Sequence, residues 1–207
     1  SVHGRRHGQG ICTYTQNSIV YNGEWKDDMK HGHGKITYAD GTIYEGGFKF
    51  GRKDGDGTLY YSSGGLYVGK FRDNKKNGRG KYVAPNGDLY VGGWKDGAMH
   101  GQGLWQGVSG DWYEGEFRSG QRDGQGVFCT TAGDRYIGEW AGGCRNGQGR
   151  QSRADGGYVY EGGFAEDMKH GNGLLIFEED DGTDRVVYEG VWEDDELVSS
   201  ASSCTLS

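Results

Sequence analysis

One pattern of aromatic, glycine and polar positions recurs along nearly the whole chain. Its copies begin at eight tyrosines: Tyr21, Tyr44, Tyr67, Tyr90, Tyr113, Tyr136, Tyr160 and Tyr188. The steps between these tyrosines are 23 residues five times, then 24 and 28 residues. A sustained period in this range is the signature of a repeat array. Residues 1–20 contain only the second half of a copy, so we expect the chain to be a fragment of a longer array.

Each copy begins with an alternation that predicts a β-strand. With the first tyrosine counted as position 1, position 3 is glycine and position 5 is tryptophan or phenylalanine in all eight copies. The odd positions therefore share one face, and the polar residues at positions 2 and 4 face the other way. Glycine inside a strand normally weakens it, so we expect these glycines to open space for neighbouring aromatic rings.

A second strand is predicted around positions 12 to 16, after a polar, turn-like stretch at positions 6 to 10. Positions 12 and 14 are glycine in all seven full copies. Position 16 is usually apolar, and the exception, Gln151, predicts a locally weak sixth repeat. Positions 20 and 21 hold pairs such as Asp40-Gly41 and Asn86-Gly87, which supply the positive φ angles of tight hairpin turns.

These elements predict an all-β fold. We expect an elongated, single-layer antiparallel meander of stacked β-hairpins, a solenoid-like twisted ribbon. The predicted organisation is a partial repeat over residues 1–20, seven repeats over 21–187, a terminal half-repeat over 188–198 and a disordered tail over 199–207. The lengthened seventh copy predicts an acidic, protruding hairpin at residues 177–184.

The amino-acid composition favours a thin repeat array and argues against a compact domain. Glycine accounts for 43 of the 207 residues, far above the usual share of about 7%. Hydrophobic residues make up only 33%, too few for a thick two-layer core, while regularly spaced aromatics argue against disorder. No apolar run approaches the 18 residues or so of a membrane span. The four cysteines are scattered without paired spacing, which suits a reducing compartment.

The repeat resembles the MORN repeat (membrane occupation and recognition nexus). The likeness rests on segments such as Tyr21-Asn22-Gly23-Glu24-Trp25, His31-Gly32-His33-Gly34 and Tyr38-Ala39-Asp40-Gly41. It implies a β-ribbon of stacked hairpins with a scaffolding, cytoskeletal or membrane-adjacent role, sometimes with dimerisation or acidic phospholipid binding. MORN arrays also accompany lipid kinases and SET-type methyltransferases. The alternative is therefore a regulatory or lipid-binding module of a larger enzyme whose catalytic domain lies outside this sequence.

No catalytic, cofactor or metal site is predicted, and the chain is not expected to be an enzyme. Carboxylates at positions 2 and 4 recur on the outward face, as solubility requires, and a thin sheet encloses little space to shift their pKa values. Histidines recur at position 11 about 10 Å apart by strand spacing, too far apart to share one zinc ion. A zinc site between two chains stays open, with Cys129 and Cys144 as candidates.

Charge is divided unevenly along the chain. Residues 1–97 hold 15 lysines and arginines against 10 acidic residues, a net +5, and residues 98–207 hold 8 against 20, a net −12. A basic cluster in two adjacent repeats is the candidate site for an anionic partner or lipid, and ordinary solvated charge is the alternative. Its members are Lys49, Arg52, Lys53, Lys70, Arg72, Lys75, Lys76, Arg79 and Lys81. Nucleic acid is not expected, because the aromatics are needed inside the repeats.

The C-terminal repeats are the candidate dimer contact. No further repeat follows to cover their apolar residues, and an open sheet edge recruits strands. The predicted contact residues are Tyr160, Phe164, Tyr188, Trp192, Leu197 and Val198. The sequence therefore predicts a non-enzymatic, self-associating scaffold that organises cytoskeletal or membrane-adjacent assemblies. We expect it in the cytoplasm, on the cytoskeleton or at the cytoplasmic face of a membrane.

Overall fold

The structure, a computed structural model, describes residues 4–178 and 185–206. Throughout these residues the chain is an all-β meander: it forms 17 strands of one antiparallel sheet and contains no helix. Two compact units are present, residues 1–100 and residues 101–207. The predicted acidic hairpin lies largely outside the described residues, because its tip falls at 179–184.

The first unit is built from consecutive antiparallel hairpins. Each strand from β1 to β7 pairs with the strand that follows it in sequence. The strands are β1 (Gly8–Tyr14), β2 (Ile19–Lys26), β3 (Met29–Thr37), β4 (Ile43–Lys49), β5 (Arg52–Tyr60), β6 (Leu66–Arg72), β7 (Lys75–Val83) and β8 (Leu89–Lys95).

The second unit repeats the same arrangement. From β9 onward, each strand again pairs antiparallel with its successor. The strands are β9 (Ala98–Gln106), β10 (Trp112–Arg118), β11 (Gln121–Cys129), β12 (Arg135–Ala141), β13 (Cys144–Ser152), β14 (Val159–Ala165), β15 (Met168–Glu178), β16 (Arg185–Glu193) and β17 (Glu196–Leu206).

The core of each repeat is a tyrosine locked over a glycine of the next strand. Tyr21 is fully buried on β2, and a Cβ added to Gly34 on β3 would lie 2.5 Å from its hydroxyl oxygen and 2.6–2.7 Å from its ring atoms. The Tyr21 hydroxyl donates to the carbonyl of Glu24 at 2.8 Å, so this buried polar group has a hydrogen-bond partner. Its ring meets the rings of Trp25 and Phe48 edge-on, with centroids 5.0 and 5.1 Å apart. The predicted role of the glycines is confirmed.

A β-bulge in the hairpin of the repeat explains the glycine at position 12. In the first full repeat Gly23 pairs with Gly34 and Trp25 pairs with Lys30, so one residue on β2 faces three on β3. Gly32 lies in this bulge at φ 58°. That backbone conformation is the left-handed region, which glycine occupies without steric cost.

The tight turns lie at positions 7 and 8 of the repeat. Asp27 and Asp28 form a two-residue connection with φ 49° and 65°, as in a type I′ turn. The predicted tight turns at positions 20 and 21 also form: in the first, the Gly41 N–H donates to the Tyr38 carbonyl at 3.0 Å and the Tyr38 N–H donates to the Thr42 carbonyl at 2.9 Å. In the first of them only Gly41 has a positive φ, and Asp40 accepts hydrogen bonds from the amide and hydroxyl of Thr42. The turn at positions 7 and 8 was predicted less sharply, as a polar, turn-like stretch, because Asp-Asp is a weaker turn signal than Asn-Gly.

The C-terminal segment differs from the predicted disordered tail. Strand β17 continues to Leu206 and pairs with β16. The exposed backbone groups of an edge strand favour pairing with any segment that follows, even a serine-rich one. Residue 207 lies outside the described residues.

Candidate functional site

A column of cations runs along the face that carries the aromatic rings, which we call the aromatic face. In the first full repeat Lys30, at position 10, pairs with Trp25 at position 5, so it shares the face of the rings. Arg6 occupies the equivalent place before β1, because Gly8 pairs with Trp25 as Gly32 pairs with Phe48. In the first unit the column consists of Arg6, Lys30, Lys53 and Lys76, and in the second unit the equivalent column consists of Arg122, Arg145 and Lys169.

Each of these cations lies over aromatic rings. The Lys53 ammonium is 5.0 Å from the ring centroid of Tyr38 and 4.9 Å from that of Tyr44. The Lys76 ammonium is 4.0 Å from the ring centroid of Trp94 and 4.8 Å from that of Tyr82. A cation within about 6 Å of a ring face is attracted by the ring quadrupole. The rings therefore hold the charged groups, but they also remove water from them.

The pKa values of the column show the cost of that dehydration. Burial lowers the pKa of Lys30 and Lys53, and it lowers the pKa of Lys76 to about 8. It also lowers the pKa of Lys169, where nearby Asp195 partly opposes the effect. Desolvation disfavours the charged form of an amine, because these ammonium groups lack the solvation of a surface lysine.

The residue at position 8 of the following repeat decides whether a cation has a carboxylate partner. Its backbone N–H donates to the carbonyl of the cation residue, as from Asp28 to Arg6 at 3.1 Å. Its side chain then lies beside the cation. Asp28 pairs with Arg6 at 3.1 Å and Asp167 pairs with Arg145 at 3.2 Å. Asp195 takes the same place beside Lys169.

Three consecutive lysines have no such partner. The position-8 residues that bond to Lys30 and Lys76 are Gly51 and Gly97, and Asn74 takes this place at Lys53. Among the side chains that the structure describes, none forms a hydrogen bond or an ion pair with these three ammonium groups, which contact aromatic rings. The first unit therefore carries three adjacent, half-buried positive charges on its aromatic face.

A tyrosine accompanies each of these lysines. Position 18 of the preceding repeat is tyrosine in these three places, and the ammonium-to-ring distances are similar. They are 5.2 Å for Lys30 and Tyr14, 5.0 Å for Lys53 and Tyr38, and 5.8 Å for Lys76 and Tyr61. All six side chains are partly exposed. A cavity of about 440 Å³ opens beside Lys53 and is lined by Tyr38 and Leu59.

The corresponding cations of the second unit are bonded to the protein itself. Arg122 donates to the Gly143 carbonyl at 2.8 Å and lies 4.1 Å from the ring centroid of Trp140. Arg145 pairs with Asp167 and donates to the Gln151 side-chain carbonyl at 3.0 Å. Gln151, the predicted weak point, thus replaces an apolar contact with a hydrogen bond to the cation column.

The structure divides the predicted basic cluster between the two faces. Lys53 and Lys76 lie on the aromatic face. The other seven lie on the opposite face or beside the turns, where strand alternation places them: Lys49, Arg52, Lys70, Arg72, Lys75, Arg79 and Lys81. Three of these form exposed ion pairs: Arg52 with Asp73, Lys70 with Asp56 and Lys75 with Asp96. The sequence did not reveal Lys30 as a site residue, although a cation at position 10 in six of eight copies was a readable signal.

The predicted dimer contact is also divided. Tyr160, Phe164 and Trp192 are buried inside their own repeats. Tyr188 and Val198 are exposed, by 37% and 53% of their surfaces, and Leu197 is intermediate. Only the second group is free to contact another molecule without opening the fold.

An exposed phenylalanine marks one turn of the first unit. Phe50, at position 7, has 63% of its surface exposed and a φ of 50°. A bulky residue rarely adopts a positive φ, since its Cβ crowds the backbone. The other copies have Asp, Ser, Gly or Glu at this position. Lys49 lies with its ammonium 5.8 Å from the Phe50 ring centroid.

Other kinds of site were sought among the described residues. No three His, Cys, Asp or Glu side chains within that part of the chain converge as metal ligands. Cys12, Cys129 and Cys144 are free thiols. None of the described segments forms an apolar helix long enough to span a bilayer.

The fold and the aromatic face define a β-hairpin repeat protein. The MORN repeat model matches residues 2–19, 21–43, 44–66, 67–89, 90–112, 113–135, 136–158 and 160–181, and the chain belongs to the MORN repeat family. MORN repeats indicate a repeat scaffold or binding module.

Solved structures show only distant similarity. The TCP domain of SAS-4 (dCPAP) of Drosophila melanogaster, in complex with a proline-rich motif of Ana2 (dSTIL), is 11% identical; the match covers 71% of this chain and 84% of that one, with a TM-score of 0.41. Virginiamycin B lyase from Staphylococcus aureus is 13% identical, with 89% and 68% covered and a TM-score of 0.18. Likeness this low carries no functional argument.

Proposed function

We propose that this protein is a non-enzymatic scaffold that binds an acidic partner protein on the aromatic face of its first unit. The observation that supports it is the run of Lys30, Lys53 and Lys76, half-buried over aromatic rings without a carboxylate partner. Withdrawing a charge from water is costly unless an opposite charge compensates it. A carboxylate from a partner would supply at these lysines what Asp28 and Asp167 supply at Arg6 and Arg145.

A protein partner fits this arrangement better than a flat anionic surface. The three ammonium groups lie among tyrosine rings, 5.2, 5.0 and 5.8 Å from the nearest position-18 ring centroid, rather than projecting into solvent. An inserted Asp or Glu side chain reaches such groups, and aromatic walls shield the resulting ion pair from water.

The test is binding of a labelled 15-residue oligoglutamate, measured by fluorescence anisotropy at low salt. The variant replaces Lys30, Lys53 and Lys76 with methionine, which the fourth repeat carries at position 10 as Met99. The matched control replaces Lys35, Lys70 and Lys81, which carry the same total charge on the opposite face. We expect binding to be lost in the first variant and retained in the control. Equal loss in both, or no binding by the native protein, contradicts the proposal.

Self-association remains part of the proposed scaffold role, as do cytoskeletal or membrane-adjacent assembly and a cytoplasmic location. Support comes from exposed apolar side chains on the last described strands, Tyr188, Val191 and Val198. Light scattering at micromolar concentration should give a dimer mass, and Val198→Glu should give a monomer. A monomer mass for the native chain would exclude this dimer.

Contact with anionic phospholipid is the second candidate function, and Phe50 favours it. An exposed aromatic side chain between Lys49 and Arg52 combines an apolar anchor with charges that attract anionic headgroups. Co-sedimentation with phosphatidylserine vesicles should weaken for Phe50→Asp, which copies Asp27 at the same position of the first full repeat. Unchanged co-sedimentation would remove Phe50 from the argument. The alternative role as a module of a larger enzyme is decided by the full reading frame.

A further inference from the structure

We propose that the aromatic face of the first unit binds an acidic, proline-rich segment in the polyproline II conformation, with one carboxylate at every third residue. The inference rests on the proposed function, because it specifies the acidic partner of Lys30, Lys53 and Lys76. It draws on two periodicities that meet on this face, one of charge and one of tyrosine rings.

The spacing of the lysines selects the conformation of the ligand. Lys30, Lys53 and Lys76 lie on β3, β5 and β7, so two strand-to-strand steps separate neighbours. With about 4.8 Å per step, the lysines repeat every 9.6 Å or so. A polyproline II helix has three residues per turn and rises about 3.1 Å per residue, which returns the same side of the ligand every 9.3 Å or so. The mismatch is a fraction of an ångström per repeat.

Other backbone conformations match less well. In an extended β-strand the same side returns at every second residue, about 6.8 Å apart, and the third residue faces away. In an α-helix residues one heptad apart return after about 10.5 Å, so the error accumulates to about 2 Å between the first and third lysines. The helix is also 10–12 Å wide, so it would touch the lysines along one narrow stripe.

The tyrosines explain why proline should separate the acidic residues. Tyr14, Tyr38 and Tyr61 stand once per repeat beside the lysines and are partly exposed. Proline-rich ligands dock on aromatic-lined surfaces, and their preformed helix loses little conformational entropy on binding. Each repeat therefore presents one ring for a proline and one ammonium for a carboxylate.

The row of three lysines also has two defined ends, and these set the length of the ligand. Towards the N-terminus Arg6 is already paired with Asp28. After Lys76, position 10 is Met99 and position 18 is Ala84. A ligand that spans the three lysines needs seven to nine residues at about 3.1 Å each. This sequence contains one proline, Pro85, so the segment belongs to another protein and not to a second copy of these residues.

The experiment compares peptides of equal charge on the full chain by isothermal titration calorimetry. The first is a 10-residue polyproline peptide with Glu at residues 2, 5 and 8. The second has Glu at 2, 3 and 4 in the same proline background, and the third is an alanine-based helical peptide with Glu at residues 1, 8 and 15. We expect the first to bind about tenfold more tightly than either of the others, since only it engages three lysines at once.

One variant, one control variant and four outcomes of the binding experiments test the proposal. Lys53→Met should weaken the first peptide about tenfold, and Lys70→Met on the opposite face should not. If the helical or clustered peptide binds equally well, the polyproline inference is wrong and the proposed acidic site stands. If neither the peptides nor oligoglutamate bind, both fail. Binding only to phosphatidylserine vesicles would replace both with a membrane contact, and tight binding to a second copy of this chain would overturn the choice of occupant.

Discussion

The two units share one repeat but treat the cations of their aromatic faces differently. On the aromatic face of the first unit, Arg6 pairs with Asp28, and the three lysines that follow have no carboxylate partner within the part of the chain that the structure describes. In the second unit Arg145 pairs with Asp167, Lys169 faces Asp195 and Arg122 donates to a backbone carbonyl. The difference teaches that the core of a repeat fixes the fold, while one turn residue sets the charge that the repeat presents.

The largest expected effect comes from the core that both units share. A Cβ at Gly57 would lie 2.5 Å from the Tyr44 hydroxyl oxygen, and one at Gly126 would lie 2.3 Å from that of Tyr113. Gly57→Ala and Gly126→Ala should each cost about 3 kcal/mol of unfolding free energy or more, because buried rings must move. Urea denaturation measures it, with Thr58→Ala as the control. A small effect in one unit alone would show that the units are not packed alike.

Exchanging the turn residues should exchange the behaviour of the two units. Asn74→Asp keeps the acceptor for the Lys53 amide, now 2.9 Å away, and adds a carboxylate beside that lysine. It should weaken oligoglutamate binding severalfold and stabilise the fold by up to about 1 kcal/mol. Asp167→Asn should do the reverse at Arg145. Anisotropy and urea denaturation report both effects. The contrast between the two units would be contradicted if oligoglutamate binding changed with the total charge of the protein, whichever repeat carried the substitution.

The smallest expected effect is the contribution of Lys76 to the pH dependence of stability. Its pKa is about 8 in the folded protein, below the ordinary value of 10.5. Between these two values the unfolded chain binds more protons, so this group makes the protein more stable as pH rises from 8 to 10.5. Lys76→Met should lose that slope, and oligoglutamate binding should weaken above pH 8. Thermal unfolding from pH 7 to 10 measures the slope, and identical slopes in both proteins would contradict this.

The alternation of tyrosine, glycine and aromatic ring was enough to predict the strands, their buried face and the need for glycine under each ring. Backbone geometry at the turns was harder to predict, because Asp27-Asp28 adopts a turn that a sequence pattern usually reveals through glycine. The bulge at Gly32 places Lys30, and not Gly32, opposite Trp25. Counting along an ideal strand cannot show that shift.

The candidate site was harder to predict than the fold. The sequence grouped Lys53 and Lys76 with neighbours that the sheet places on the other face, because nearness along the chain does not reveal which side of a strand is presented. Lys30 was overlooked for a related reason: positions 6 to 10 were interpreted together as a polar turn. The unpaired state of these lysines depends on Asn74 and its equivalents one repeat away, a relation visible only once the hairpins are stacked.

The left-handed backbone conformation at position 8 limits the residue types that this position can hold in every repeat. Asp28, Asn74, Asp167 and Asp195 have φ between 65° and 71° there, and the remaining copies have glycine. Asp, Asn and Gly are the residues that tolerate this conformation, and only Asp is charged. In each repeat, position 8 therefore either supplies a carboxylate to the neighbouring cation or does not. One substitution at this position can change that without disturbing the core. A substitution at position 8 therefore changes which cations of the aromatic face have a carboxylate beside them, while the fold stays the same.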